Sequence, residues 1–297
     1  MKRIKIVKKY TILSLCLFSC LLALSGCQKT APKFTIETYP KVDGSTVTIP
    51  LSEAVAATLT QHTIEAVRPY IMHYKTHQAY LNLIEKEAEL IFVTAPSEEE
   101  LALAEAEGVA FEIVPIVSEA FVFLTHVDNP VKGLTGQNIQ DIYTGKVTRW
   151  NELGGIDEAI IPYQRPVNSG SQTGFLDLVM KGLTPMQAPK ELVTAEMGQL
   201  IDAVANYENS ASALGYSYFY FVEDMWGNDN VKLLEVDGVY PDHETISSGE
   251  YPFTTAYYAV IREDSPKDSG ARQIIEWILS EDGQALMEES GYVKIKK

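Results

Sequence analysis

Cysteine is almost absent from this chain. Of 297 residues only Cys16, Cys20 and Cys27 are cysteine, all within the first 27 positions. Nothing downstream can form a disulfide or a thiolate metal site, so the fold must rest on core packing. Positive charge is scarce too: 24 Lys+Arg stand against 40 Asp+Glu, a formal net charge of −16. A nucleic-acid binder needs a basic face to neutralise phosphates, and this composition argues against one. Long apolar runs are also missing. The N-terminal run Tyr10–Leu24 has 15 residues, short of the about 20 that a helix needs to cross the hydrocarbon. What is present is ordinary: 46% hydrophobic and 22% charged residues fit a globular chain, and its length allows about two domains.

The charge is unevenly placed. Lys2, Arg3, Lys5, Lys8 and Lys9 precede the apolar run, which ends in Leu24-Ser25-Gly26-Cys27. A basic stretch, a short apolar stretch and small residues form the pattern of a secretory signal. The small-residue site resembles the lipobox of bacterial lipoproteins. That resemblance implies that residues 1–26 are a signal peptide, that Cys27 is lipidated, and that residues 27–33 tether an extracytoplasmic domain to the bacterial cell membrane. Cleavage would remove five basic residues and no acid, taking the balance from −16 to −21.

Helical and strand-like segments alternate along the remainder, which reads as an α/β protein. Phe34–Tyr39 has strand alternation, Lys41–Ser45 is a turn, and Pro50–Leu59 reads as a helix with proline in its first turn. Tyr80–Glu87 is helical and Ala88–Val93 a short buried strand. Ser97 and Glu100 form a capping box, which makes the acidic triplet Glu98–Glu100 a solvated helix start. Phe111–Val117, Ala120–His126, Leu214–Val222, Val231–Val236 and Thr254–Ile261 are strand-like, and Gly270–Glu289 is one long helix. This alternation favours a largely parallel sheet with ligands at the carboxyl ends of strands.

Two loops carry the chemistry. Asp43-Gly44-Ser45-Thr46 leads into the helix near Pro50; a helix start offers unpaired N–H groups and the positive end of its dipole, and Ser45 and Thr46 add hydroxyls. D-G-S-T is also an everyday turn. Arg165-Pro166-Val167-Asn168-Ser169-Gly170-Ser171 follows the strand-like Ala159–Tyr163 and opens into a helical run, Phe175–Lys181. It supplies a guanidinium whose fork of donors suits an oxyanion, two hydroxyls, and a glycine that lets backbone approach closely. A capped helix after a loop would look similar, but leaves Arg165 unexplained.

Arg165-x-x-x-Ser169-Gly170-Ser171 resembles the R-x-x-x-S-G-T loop of the phosphate-binding proteins that feed phosphate ABC transporters. Gly44-Ser45-Thr46 with Pro50-Leu51 is similar to that family's first loop. Asn129-Pro130-Val131, the stretch from Ile142 to Gly155, Leu279–Gln284 and Gly291-Tyr292-Val293 follow in the family's order. The resemblance implies a two-lobe type II periplasmic-binding-protein fold. Residues 34–118 and 255–297 would form one lobe and 119–254 the other, with crossover hinge strands near Pro115–Phe121 and Pro252–Tyr258.

It also implies an extracytoplasmic binding protein for phosphate or a related oxyanion, working with ABC permease subunits as a monomer, without cofactor or catalysis. Ser45, Thr46 and Thr94 would donate from one lobe and Arg165, Ser169, Gly170 and Ser171 from the other. One departure stands out. Val93–Ser97 lacks the acid or arginine that the family places after this strand, leaving Thr94, so tungstate, molybdate, sulfate or an organic phosphate stay open as ligands. Tyr163 and Gln164 would then shape a roomier pocket, and Tyr216 or Ser217 could touch the ligand.

Other readings are weaker. His73 and His77 have the spacing of two metal ligands on one helical face but no third partner. A hydrolase using Ser169 or Ser171 would need a histidine within hydrogen-bond reach, and Ser171 sits one position early for a nucleophile elbow. A sensory or adhesive surface protein that kept the fold is the remaining alternative.

Overall fold

The computed structural model describes residues 31–206 and 210–295. The expected signal peptide, residues 1–26, and the expected lipidation site Cys27 lie outside the described residues. Among the described residues no helix is long and apolar enough to cross a membrane.

Among the described residues ten strands follow in chain order: β1 (Val42–Gly44), β2 (Leu90–Val93), β3 (Phe111–His126), β4 (Gly133–Leu134), β5 (Ile161–Pro162), β6 (Ala213–Tyr218), β7 (Val231–Leu233), β8 (Glu235–Val236), β9 (Thr254–Arg262) and β10 (Val293–Lys294). The main sheet has the order β1-β2-β9-β3-β6-β5, with β7 and β10 also paired to β3; β4 and β8 pair separately. Only β1–β2, β5–β6 and β4–β8 are parallel. The pairings of β9 with β2 and β3, and of β3 with β6, β7 and β10, are antiparallel. The expectation of a largely parallel sheet is therefore corrected. The two long strands β3 and β9 run antiparallel to each other through the middle, and β2, β6, β7 and β10 each pair antiparallel to one of them.

β3 is one continuous 16-residue strand. Phe111–Ala120 pairs with β9, whereas Phe121–Thr125 pairs with β6. Pro115–Phe121 and Pro252–Tyr258 lie side by side, Val117 opposite Tyr257 and Ala120 opposite Thr254, with a register shift between Pro115 and Val117. A proline cannot donate to a ladder, which accounts for irregular pairing there.

Three further expectations are corrected. Phe34–Tyr39 is not a strand. Ile36–Thr38 is a 3₁₀ turn in which the Thr35 N–H donates to the Thr38 hydroxyl at 2.9 Å and the Tyr39 N–H to the Thr35 carbonyl at 3.0 Å. Local threonine bonding outcompetes the alternation, and the strand is instead Val42–Gly44, inside the expected turn. The helix expected at Tyr80–Glu87 runs from Lys75 to Ile84. The long C-terminal helix is two, Gly270–Ile278 and Glu281–Glu289, because Ser280 caps the second by accepting from the Gly283 N–H at 3.2 Å.

The core is largely one cluster spanning both ends of β3, rich in rings such as Phe121, Phe123, Tyr143, Phe175 and Tyr216; a smaller cluster lies under the Lys75–Ile84 helix. Where β3 and β9 run together, Glu119 is fully buried. Its Oε1 accepts from the Ala120 N–H at 2.8 Å and the Tyr220 N–H at 3.3 Å. Burial outweighs these donors and pushes its pKa from 4.5 up to about 7. A folded pKa raised above the unfolded one favours the protonated fold. The stability Glu119 contributes is therefore full below pH 4.5, declines as pH rises, and is gone above 7. Urea unfolding at pH 5 and pH 8 should show the chain losing about 3 kcal/mol relative to Glu119→Gln across that interval. Equal pH slopes in the two proteins would exclude Glu119 as the source.

Candidate functional site

The first wall is built at the ends of β1 and β2. After β1 the chain passes through Ser45 into a 3₁₀ turn, Thr46–Thr48, that feeds the helix Ile49–Thr60. The Ser45 N–H donates to the Phe92 carbonyl at 2.9 Å and the Thr48 hydroxyl to the same oxygen at 2.6 Å, tying the turn to β2. Buried Asp43 accepts from the N–H groups of Gly44 at 2.7 Å and Tyr74 at 2.9 Å, and from the Asn82 amide at 2.6 Å. That fixes the start of the Lys75–Ile84 helix beside the same turn. The Tyr80 hydroxyl holds the Thr94 carbonyl at 2.9 Å.

The second wall is the 165–171 loop. Ser169 caps the short helix Gly170–Gly174, accepting from the Gln172 N–H at 3.3 Å, and the chain continues as a π-helical turn, Phe175–Met180. The Arg165 N–H donates to Gln172 Oε1 at 3.1 Å and to the Tyr216 hydroxyl at 3.0 Å, and Tyr216 in turn donates to Gln172. Tyr216 stacks on Phe175 at 4.6 Å. The Tyr218 hydroxyl donates to the Gly170 carbonyl at 2.9 Å. The loop is thus held from behind by aromatic groups of β6.

Between the walls lies a cavity of about 350 Å³, and Ser45, Thr46, Thr94, Arg165, Ser169, Gly170 and Ser171 all line it. Arg165 is buried. Its Nη2 donates to the Ala195 carbonyl at 3.0 Å, while Nε and Nη1 have no hydrogen-bond partner. Among the described residues no carboxylate forms an ion pair with it. Burial pulls its pKa down from the usual value, yet an arginine keeps its charge in any protein setting. The hydroxyls of Thr94 and Ser171 are likewise buried without a partner. Thr94 neighbours the Tyr218 hydroxyl, but the geometry completes no bond between them. Unmade hydrogen bonds at buried polar atoms are costly, and here four such donors belong to one cavity.

Two ties join the walls at the mouth. Lys75 Nζ meets Glu196 Oε1 at 2.6 Å, and Asn168 Nδ2, on a residue with φ of 66°, donates to Glu99 Oε2 at 2.5 Å. At the floor the approach is closer still. A Cβ on Gly170 would lie 2.4 Å from Thr94 Oγ1 and 2.5 Å from Thr76 Oγ1.

Several expected residues fall elsewhere. Tyr163, Gln164, Tyr216 and Ser217 are buried and do not line the cavity; the Gln164 amide is engaged by the Met186 carbonyl at 3.0 Å. They back the wall instead of facing it. The capping box at Ser97 forms, but Glu100 is buried and bonds His77 Nδ1 at 3.0 Å, so that triplet is not wholly solvated. His73 bonds the buried Ser52 hydroxyl at 2.7 Å, and neither histidine bonds Ser169 or Ser171. Among the described residues no cluster of three or more His, Cys, Asp or Glu is placed to hold a metal.

Thr76, Lys75 and Glu196 also line the cavity, outside the two loops that the sequence points to. Extending the helical period of Ala79, Tyr80, Leu83 and Ile84 backwards by one turn would have put Thr76 at a helix start. Glu196 carries no such signal, because an acid just before a helix is ordinary capping chemistry.

A family model described as the PBP superfamily domain matches residues 36–282. The chain is 26% identical over 195 residues to the phosphate-binding protein PstS of Bacillus subtilis, covering 64% of this chain and 61% of that one. It is 25% identical over 211 residues to PstS of Borreliella burgdorferi, covering 69% of this chain and 74% of that one. The matched stretch thus spans about six tenths of the length of the Bacillus relative. Among solved structures, a phosphate ABC transporter substrate-binding protein with bound phosphate from Clostridium perfringens aligns with a TM-score of 0.67 at 27% identity, over 87% of this chain and 100% of that one. An ABC-type phosphate transport receptor from Vibrio cholerae shares the fold with a TM-score of 0.66 at 20% identity, over 86% of this chain and 99% of that one. The order of elements, the mixed sheet threaded by β3 and β9, and these matches agree: the chain belongs to the periplasmic-binding-protein (PBP) superfamily, with the type II fold.

Proposed function

We propose that this protein is the extracytoplasmic solute-binding lipoprotein of a phosphate-type ABC importer, anchored through Cys27. It captures a tetrahedral oxyanion, phosphate foremost, between two lobes formed by residues 34–118 with 255–297 and by residues 119–254. The observation that carries the reading is the set of buried, unpartnered donors lining one cavity: Arg165 Nε and Nη1, Ser171 Oγ and Thr94 Oγ1. The Thr46 and Gly170 helix starts and the hydroxyls of Ser45, Ser169 and Thr76 complete a shell with hydrogen bonds for several oxygens. Binding by such local donors does not need a positive surface, which reconciles the site with a strongly acidic chain. In this reading no bond is made or broken; among the described residues neither Ser169 nor Ser171 is hydrogen-bonded to a histidine.

Thr94 favours a relaxed choice of oxyanion. A carboxylate at that place would accept a proton from monohydrogen phosphate and repel fully ionised anions, whereas a hydroxyl can donate to either. Thermal shift of the full chain should therefore rise with millimolar phosphate and also with sulfate, following the logarithm of ligand over Kd. A panel in which no tetrahedral oxyanion raises the unfolding temperature would overturn the site.

A further inference from the structure

Beside the anion cavity lies a second hollow of about 440 Å³, and the two share Thr46, Glu196 and Met197. Its remaining lining is mostly apolar: Gly198, Phe221, Met225 and Trp226, with Gln199 and Asp202 at the edge. Trp226 is 46% exposed, unlike Trp150 and Trp277, which are buried. It is nevertheless fixed on three sides. Its Nε1 donates to Asp202 Oδ1 at 3.0 Å, and its ring stacks with Phe221 at 5.9 Å and 20°. The third restraint is Gly198, where any Cβ would meet the indole at 2.4–2.5 Å, so only glycine lets the ring lie flat there. An exposed indole held in one orientation is a preorganised face, because the entropy of ordering it is already spent in the free protein.

Size gives the second strand of the argument. Inorganic phosphate has five heavy atoms and displaces roughly two or three waters, on the order of 60–90 Å³. The anion cavity alone is about 350 Å³ even with the Lys75–Glu196 and Asn168–Glu99 ties made across its mouth. Polar donors lie on the Arg165 side and an apolar shelf adjoins at Met197, which is the layout for a ligand with one charged end and one flat apolar end.

We propose that, besides inorganic phosphate, the cleft takes a phosphomonoester whose aromatic or otherwise flat apolar group lies on Trp226 while its phosphate takes the donors around Arg165. This rests on the oxyanion reading of the cavity and extends it. The shared residues Thr46, Glu196 and Met197 set the hollow directly beside that cavity, within reach of a single ligand lying across both, which favours such a ligand over a separate protein partner.

Calorimetry on the full chain with inorganic phosphate, methyl phosphate and 1-naphthyl phosphate tests it. Naphthyl phosphate is expected to bind at least about tenfold more tightly than methyl phosphate, the order of one aromatic stacking contact. Trp226→Ala should bring that ratio close to one, and Gly198→Val, which displaces the ring without removing it, should lower it as well. If naphthyl and methyl phosphate bind equally, or if the preference survives in both variants, the proposal is overturned while the oxyanion site stands. If inorganic phosphate and both esters fail to bind, the oxyanion reading falls and this proposal with it. Should Trp226→Ala leave every affinity unchanged but abolish uptake by the assembled importer, the hollow belongs to a partner protein and the proposal is likewise overturned.

Discussion

Arg165→Ala is expected to weaken phosphate binding by about a hundredfold or more without destabilising the free protein. The wild-type guanidinium is buried, keeps one bond to the Ala195 carbonyl, and has Nε and Nη1 unpartnered. Two charge-assisted bonds to an anion are each worth about 1.5–3 kcal/mol. Their loss corresponds to roughly two to four orders of magnitude in Kd. In the free protein the balance is different. A buried cation without a carboxylate is unfavourable, so alanine relieves a desolvation cost as it removes packing. The unfolding temperature without ligand should therefore hold or rise, while the increase produced by phosphate collapses. Arg165→Lys should recover only part of the affinity, because an ammonium cannot supply the two-pronged geometry of Nε and Nη1. Titration calorimetry giving a wild-type Kd for the alanine variant would remove Arg165 from the site.

The residues that could be read from the sequence were those whose chemistry is local. Ser169 is followed three residues later by Gln172, whose N–H it caps, and Gly170 follows it directly; this short spacing makes the loop recognisable before any fold is known. Ser45 and Thr46 are legible for the same reason, lying between a strand and a proline-started helix. What was not legible depends on pairing at long range. β3 and β9 look like any other strand-like runs, and nothing within 111–126 announces that its two halves have different neighbours. The parallel expectation failed on that point. Thr76 was hidden because its helix was placed five residues late, and Glu196 because its partner, Lys75, is 121 positions away. Phe34–Tyr39 shows the opposite fault, a local pattern overridden by still more local hydroxyl bonds. Burial was the other blind spot: Glu100 has the sequence of a solvated cap and the environment of a core residue, held by His77.

Gly170→Val is expected to abolish detectable binding while leaving a folded protein. The reason is the closeness of the two walls at the floor of the cavity, where a Cβ would stand 2.4 Å from Thr94 Oγ1 and 2.5 Å from Thr76 Oγ1. Real Cβ contacts are not made at such distances, so something must move. The threonines have little freedom to turn aside, because a β-branched residue that rotates replaces its hydroxyl with a methyl. Nor can Gly170 easily withdraw, with its carbonyl held by the Tyr218 hydroxyl at 2.9 Å. The remaining response is for the walls to part. Arg165, Ser169 and Ser171 would then move away from Thr46, Thr76 and Thr94 as a group, and a tetrahedral ligand could satisfy one set of donors but not both. Losing two or three hydrogen bonds to a charged ligand together costs on the order of a thousandfold. Folding should suffer less, because separating the walls leaves the ring cluster of Phe121, Phe175 and Tyr216 packed. Gly170→Ala should fall between, and in its background Thr94→Ala should cost less affinity than in the wild type, since the second change also relieves the clash created by the first. Wild-type affinity in Gly170→Val would mean that the walls need not meet, and that the donors on the two sides do not act on the same anion.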